Sequence, residues 1–513
     1  MTVNKHENLL DYLVANKCND LISNGKIGIE KESLRVRQGQ LLNSSHPKEL
    51  GSALCNKYIT TDFSESLLEF VTEPYSDKDK LRLLLDDIHH FVSLNIGDEK
   101  LWPLSYPPHI DNLDEILIAE YGSSNLAKLK RGYRAGLANR YGKQMQIIAG
   151  IHYNYSFPDV FWEGINFDQS KEQLSTKNEI YFRGLRNIQR LNWLILYFLG
   201  ASPIIPKSFY EECPPELSER NDYYFSQYAT SLRMSKYGYQ NINQTKLNVS
   251  FDSLEKYSKD LKFLTKTSNK EFEKIGNYNS KEIQQLNTNY LQTEDEYYSI
   301  ARPKNSEQSD RRTIKKLNDH GIDYIEYRAI DLNPFSRIGI KNEDILFLEI
   351  FLVYCSLKES PLLDKDELSE NYNNSLLVSL SGRDLKLSLS RKGQSIFMKD
   401  WAEKTLDEMR PIADLLGINK ELLDKKSEEI TSPEKTISGR MLERFSQENI
   451  SYQELGTSLS EKYSEEYMSK DKEDNVHYGL LKSSAEKSLF SQLQIEQSDK
   501  GTFKEYLEEY FLD

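Results

Sequence analysis

One carboxylate restricts the folds open to this chain more than any other residue. Glu69 stands in the run Leu67, Leu68, Glu69, Phe70, Val71, and an extended backbone sends alternate side chains to opposite faces. Whichever face Glu69 takes, apolar neighbours surround it, and an unpaired charge there costs several kcal/mol. A fold that accepts this strand must bring it a neutralising group. The same oddity recurs in three further segments. In IGIEKESLRV, Glu30 and Glu32 share a face with Leu34 and Val36, opposite Ile29, Lys31, Ser33 and Arg35, with the two carboxylates about 7 Å apart along the strand. In YIEYRAIDLNPF, Glu326 and Arg328 share a face opposite Ile325, Tyr327 and Ala329. In IIAGIHYNYSF, His152, Asn154 and Ser156 oppose Ile151, Tyr153, Tyr155 and Phe157. A cross-strand ion pair or a satisfied core residue explains any one of these segments. For the four together the shared explanation is a sheet that gathers carboxylates, an imidazole and a guanidinium around divalent cations. Hard carboxylate oxygens with one histidine and no thiolate suit Mg2+ or Mn2+.

Such cations usually serve phosphate groups. The chain has no GxxxxGK[ST] loop and no GxGxxG turn, so phosphates would be held by metal and basic side chains rather than by a glycine-rich turn. That disfavours P-loop, Rossmann and kinase-like classes. A basic segment at 124–141 presents Lys130 and Arg134 beside a stripe of Tyr133 and Leu137. Arginine suits a substrate carboxylate, because its planar fork binds both oxygens.

The surrounding pattern is α+β. Helices are expected at 7–23, 78–95 behind a Ser76 or Asp77 cap, 124–141, 177–200 and 342–358; strands at 26–36, 67–72, 147–157, 323–330 and 246–251. The polar stretch 304–320 reads as an exposed loop. Charge decides two further points. Eighty acids against 66 bases over 513 residues, with 38% hydrophobic residues, is too mild an imbalance to prevent folding. Most of the negative surplus falls in residues 361–513, read as a mainly helical, supporting part packed on a catalytic core at 1–360. The acidic balance argues against nucleic acid as a partner. The apolar run Leu191 to Leu199, abutted by Arg190, is too short for a membrane span. Cys18, Cys55, Cys213 and Cys355 lie far apart with no CxxC pair, which fits a reducing compartment, and no export segment is recognised.

Six segments in fixed order carry a resemblance: IGIEKESLRV, LGSALCNKYITTDFSESLLEFVTEP, LWPLSYP, AEYGSSNLAKLKRGYRAGLANRYGKQMQIIAGIHYNYSFP, YATSLRMSKYGY and YIEYRAIDLNPFSRIGI. Together they closely resemble the proteobacterial type of glutamate–cysteine ligase, over roughly residues 20–360. The resemblance implies a glutamine-synthetase-like fold: a curved, mostly antiparallel sheet forming a funnel, with helices outside and a helical C-terminal part. It implies ATP-dependent joining of the L-glutamate γ-carboxylate to the L-cysteine amine. ATP would be co-substrate and Mg2+ the cofactor, with Mn2+ as the alternative. The implied metal ligands are Glu30, Glu32, Glu69, His152 and Glu326, with Asp62 of TTDF added. Arg328 is similar to the family's phosphate-contacting arginine. The cysteine pocket would draw on Phe63, Tyr133, Leu137, Gln146, Tyr239 and Tyr298, and substrate carboxylates would meet Arg134 and Arg233. A cytoplasmic monomer with feedback binding of glutathione is the corresponding expectation. One departure stands out: Tyr327 replaces the aliphatic residue often found between the Glu and Arg of the phosphate strand, and it should point away from the metal face.

Overall fold

Six strands build the central sheet: β1 (Lys26–Arg37), β2 (Ile59–Thr61), β3 (Leu67–Val71), β4 (Ile151–Ser156), β5 (Ala301–Lys304) and β6 (Tyr324–Ile330). Their order is β5-β6-β4-β1-β3-β2, with every neighbouring pair antiparallel. Two short strands, Gln40–Leu41 and Lys100–Leu101, also pair with β1. The chain is seen in a computed structural model that describes residues 9–165, 173–238, 247–276, 283–309 and 311–512.

Pairing register determines which side chains meet. Glu32 faces Glu69 across β1 and β3, Glu30 faces His152 across β1 and β4, and Glu326 faces Asn154 on one side and Arg302 on the other. Four helices frame this sheet: α1 (Lys78–Asn95), α2 (Asn125–Tyr141), α3 (Gln173–Leu199) and α4 (Asn342–Leu357). Asp77, not Ser76, caps α1 by accepting from the amides of Asp79 and Lys80, and Ser124 caps α2 by accepting from Ala127 N. Helices α3 and α4 cover the apolar face. The Tyr153 hydroxyl donates to the Ile345 carbonyl at 2.9 Å. Tyr327 does turn away from the polar face, and its hydroxyl donates to Asn192 Oδ1 of α3 at 2.7 Å. A two-sided buried sheet also explains Lys31 and Arg35, both buried on the face opposite Glu30 and Glu32.

Several expected elements are corrected. The helix expected at 7–23 is two pieces, Leu9–Ala15 and Asn19–Ile22, because Lys17 adopts a left-handed φ of 51° that breaks the first. Before β4, residues Met145–Ile147 form a 3-10 turn instead of continuing the strand. Residues 247–251 form no strand; Val249 and Phe251 are buried, while the Phe251 carbonyl accepts from Arg186 instead of from a neighbouring strand. The stretch expected to be a loop at 304–320 begins with Lys304 at the end of β5 and closes in a helix, Thr313–His320, held by buried Ile314 and Leu317. Those two residues are three apart, enough to anchor a short amphipathic helix. The part after residue 360 is mainly helical but contains a hairpin, Ser388–Arg391 with Gln394–Phe397, whose turn residues Lys392 and Gly393 both take positive φ. It is joined to the earlier part by polar contacts: Tyr452 OH donates to the Tyr106 carbonyl at 2.7 Å and Tyr467 OH to Asp86 at 2.7 Å.

Candidate active site

The polar face of the sheet carries the chemistry. Glu30, Glu69 and His152 each offer one ligand atom, and these atoms lie within 4.8 Å of one another. They come from three adjacent strands, so the antiparallel register alone brings them together. His152 is central: its Nδ1 lies 2.9 Å from Glu30 Oε2 and 3.7 Å from Glu326 Oε1, and its Nε2 lies 3.9 Å from Glu32 Oε1. Asn154 Nδ2 donates to Glu30 Oε1 at 2.9 Å, and Gly150 N donates to Glu32 Oε2 at 2.6 Å. Gly150 is also where a Cβ would stand 2.0 Å from Arg233 Nη2, so a side chain there would displace that guanidinium. Arg328 Nη1 reaches Glu326 Oε1 at 3.1 Å, while Lys304 Nζ stands 3.5 Å from Glu326 Oε2.

Crowding sets the electrostatics. Burial, then the negative charges of Glu30, Asp62 and Glu32, push the Glu69 carboxyl well above its ordinary range. Glu32 is also raised, first by burial and then by Asp62. Glu326 goes the other way: burial opposes ionisation, but Lys304, Arg328 and His152 outweigh it and hold the carboxyl well below the usual value. Glu30 is lowered as well, since burial is overcome chiefly by the His152 hydrogen bond. Glu326 Oε2 is buried without a hydrogen bond. Buried and half-buried carboxylates, one imidazole and a buried carboxylate oxygen without a hydrogen bond on one face form a hard donor set that fits a divalent cation such as Mg2+.

Beside this cluster lies a cavity of about 100 Å³. Asp62, Phe63, Gln146, Arg233 and Tyr298 line it together with the α2 side chains Tyr133, Arg134 and Leu137. Glu32, His152 and Arg328 open onto the same space, so the carboxylate face and the cavity are continuous. Asp62 lines the cavity and, like Glu32 and Glu326, stands outside the tight group of three. Arg134 is steadied from two sides: its Nε donates to the Asp62 carbonyl, and its guanidinium lies 4.7 Å from the Tyr121 ring centroid. Arg233 is buried with Nη1 3.6 Å from Asp331 Oδ1, and Asp331 in turn accepts from Ala201 N, Ser202 Oγ and Ser231 Oγ. Tyr239 lies outside the described residues.

Strand β5 supplies functional groups that the sequence reading did not single out. Arg302, paired in register with Glu326, lines the cavity with its Nη2 donating to the carbonyls of Asp295 and Tyr297. Arg302 and Lys304 share a face by strand alternation, so the rule used on the other four strands was the available signal. Asp295 and Glu296 also line the cavity; nothing in their local pattern marks them.

This arrangement can bind a polyanion against cations and present carboxylates to basic groups at close quarters. Comparison with known proteins gives it a family. A family model described as glutamate–cysteine ligase matches residues 10–378. The glutamate–cysteine ligase of Vibrio vulnificus (strain YJ016) is 40% identical over 501 residues, covering 94% of this chain and 94% of the relative. That of Pseudomonas putida is 38% identical over 497 residues, covering 94% of each. The likeness thus runs well past residue 360, further than the motifs alone indicated. Among solved structures, the crystal structure of a Francisella tularensis glutamate–cysteine ligase in complex with AMP aligns with a TM-score of 0.89 and 35% identity, covering 95% of this chain and 97% of that one. A bifunctional glutathione synthetase from Pasteurella multocida aligns with a TM-score of 0.73 and 26% identity, covering 90% of this chain and 55% of that one.

Proposed function

The chain belongs to the glutamate–cysteine ligase family, and from that premise we infer that it joins the γ-carboxylate of L-glutamate to the amine of L-cysteine, converting ATP to ADP and phosphate. The observation that carries the reading is the meeting of Glu30, Glu69 and His152 within 4.8 Å, beside a cavity walled by cationic and aromatic side chains.

A carboxylate does not condense with an amine at neutral pH, because its oxygen is a poor leaving group. The chemistry has two steps. A γ-carboxylate oxygen of glutamate attacks the γ-phosphorus of ATP and ADP leaves. The cysteine nitrogen then attacks the carbonyl carbon of the γ-glutamyl phosphate, phosphate leaves, and the nitrogen gives up a proton. Glu30, Glu32, Glu69, His152, Glu326 and Asp62 are the proposed holders of Mg2+, with Mn2+ as the alternative, for the fit described above. Bound there, a divalent cation offsets the charge of the nucleotide phosphates. Arg328 is proposed to stabilise negative charge on the transferred phosphoryl group, as a guanidinium in a dry site does well. Arg134 and Arg233 would take the substrate carboxylates. Phe63, Tyr133, Leu137, Gln146, Tyr239 and Tyr298 would enclose cysteine, which raises its effective concentration and keeps water from the acyl phosphate.

On the same reading residues 1–360 are the catalytic core, since every group named here precedes residue 360, and 361–513 support it. The funnel shape of the sheet belongs to this proposal too, as does competition by glutathione, which carries the γ-glutamyl and cysteinyl parts of both sites. One chain supplies all the groups, which is what a monomer requires. No helix among the described residues is long and apolar enough to cross a membrane. Cys18, Cys55, Cys213 and Cys355 are free, which supports a cytoplasmic setting. The deciding experiment is a coupled ADP-release assay with glutamate, cysteine and Mg2+ each omitted in turn. Release that does not need cysteine, or that proceeds equally with unrelated amines, overturns the assignment.

A further inference from the structure

Helix α2 carries Gly132, Gly136 and Arg140 at four-residue spacing, so the three lie along one stripe of its surface. That stripe rests on the segment 283–296. A Cβ on Gly132 would stand 2.8 Å from Ile283 Cγ2, and one on Gly136 would stand 2.0 Å from Gln292 Oε1. Only glycine allows so close an approach. One turn on, Arg140 Nη1 and Glu296 Oε1 form an ion pair at 2.9 Å with both side chains fully buried. Arg140 also donates from Nε to Gln285 Oε1 at 2.9 Å and from Nη2 to the Asn287 carbonyl at 2.5 Å. Glu296 accepts from the Tyr141 hydroxyl at 2.6 Å and from Gln292 N at 2.7 Å. Gln292 Nε2 completes the seam by donating to the Tyr133 carbonyl at 3.1 Å.

A buried ion pair is a poor device for stability, because desolvating both charges consumes most of what their attraction returns, and an apolar pair of similar volume often serves as well. Its distinctive contribution is direction: a guanidinium fork holds its partners in one geometry. Here that geometry links helix α2 to the segment around Glu296, both of which contribute lining residues to the cavity. Tyr133 and Leu137, on the stripe of α2 next to the seam, line it, and so does Tyr298, two residues beyond Glu296 in the other segment that the seam joins. Resting on the reading that this cavity takes cysteine, we propose that Arg140 and Glu296 are positioning residues that set the spacing of these lining groups and thereby the affinity for the small acceptor amino acid.

The test is steady-state kinetics of the full-length chain with glutamate, cysteine, ATP and Mg2+, together with thermal melts. In Arg140→Lys and in Gly136→Ala, the KM for cysteine should rise about 10- to 100-fold. The KM for ATP should stay within about twofold and kcat should fall less than the cysteine KM rises. Glu296→Gln, which keeps an acceptor oxygen, should retain more cysteine affinity than Glu296→Ala. Gly136→Ala leaves both charges in place and decides the matter if Arg140→Lys does not fold. An unchanged cysteine KM in a folded seam variant overturns the proposal; so does a parallel rise of all three KM values with a lowered melting temperature, which marks a merely structural role. Failure of the underlying reading looks different: Tyr133→Ala, a change in the wall itself, would then also leave the cysteine KM unmoved.

Discussion

Glu32 and Glu69 stand directly opposite each other across the β1–β3 pair, both on the polar face of the sheet. Like charges so placed repel and destabilise a sheet, and burial strengthens the effect. The pairing is therefore a cost to the protein, one that a cation held as proposed would relieve.

That cost is measurable in Glu69→Gln. In metal-free buffer this variant should melt above the parent, by about 1–2 °C for roughly 1 kcal/mol of relieved repulsion. Added Mg2+ should raise the melting temperature of the parent with concentration, and the variant much less, so that the order reverses, while ligation is nearly abolished. A variant with parental melting in both buffers and ordinary turnover would remove Glu69 from the metal site.

Glu30→Gln preserves shape and deletes one charge from the pair with His152 Nδ1, 2.9 Å away. Near-total loss of ADP release is expected, with a circular-dichroism spectrum like the parent's. Ordinary activity in a folded Glu30→Gln protein contradicts the ligand role.

Arg328 lies 3.1 Å from Glu326 with its guanidinium open to the cavity. Replacing it by lysine keeps the charge but loses the planar fork, and kcat should drop by about 10²- to 10³-fold. The KM for cysteine should change little. A mutant whose loss lies wholly in the cysteine KM would move Arg328 from the phosphoryl group to the acceptor pocket.

Glu349 of α4 supplies a pH effect away from the site. Its side chain is fully buried, 2.8 Å from Lys78 Nζ, and burial, only partly offset by Lys78, pushes its carboxyl up to about 7. The folded state thus holds the proton more tightly than the unfolded chain. The stability this contributes is complete below the ordinary carboxylate value and is lost as pH rises through about 7. Relative to Glu349→Gln, the parent should lose about 3 kcal/mol between pH 4.5 and pH 7. Urea denaturation of both proteins across that range checks it, and parallel stability curves would refute it.

The amide that opens α2 donates from Asn125 N to Asp499 Oδ2 at 2.6 Å, a cap supplied from 374 residues away. Asp499→Ala should cost about 1 kcal/mol, with faster hydrogen exchange confined to the first turn of α2. Unchanged protection of that turn would mean the contact contributes nothing.

Much of the active face was legible because strand alternation is a local property. The shared side of Glu30 with Glu32 and of Glu326 with Arg328 follows from counting residues by two, and no partner strand is needed to know it. Helices α1 and α2 were legible for a similar reason, since Asp77 and Ser124 bond to amides two or three residues away. The stretch 304–320 misled because its polarity masked the Ile314–Leu317 anchor, whose value depends on an apolar surface that only the packed protein provides.

Sequence alone therefore determined the inventory and the faces: which carboxylates, which imidazole, which guanidinium, and which of them point the same way. Only the tertiary structure decided who meets whom. That Glu32 confronts Glu69, that Arg302 stands beside Glu326, and that Arg140 locks onto Glu296 are outcomes of register between segments tens to hundreds of residues apart. Such pairings depend on the summed packing of the whole sheet and its helices, and no local spacing encodes that sum.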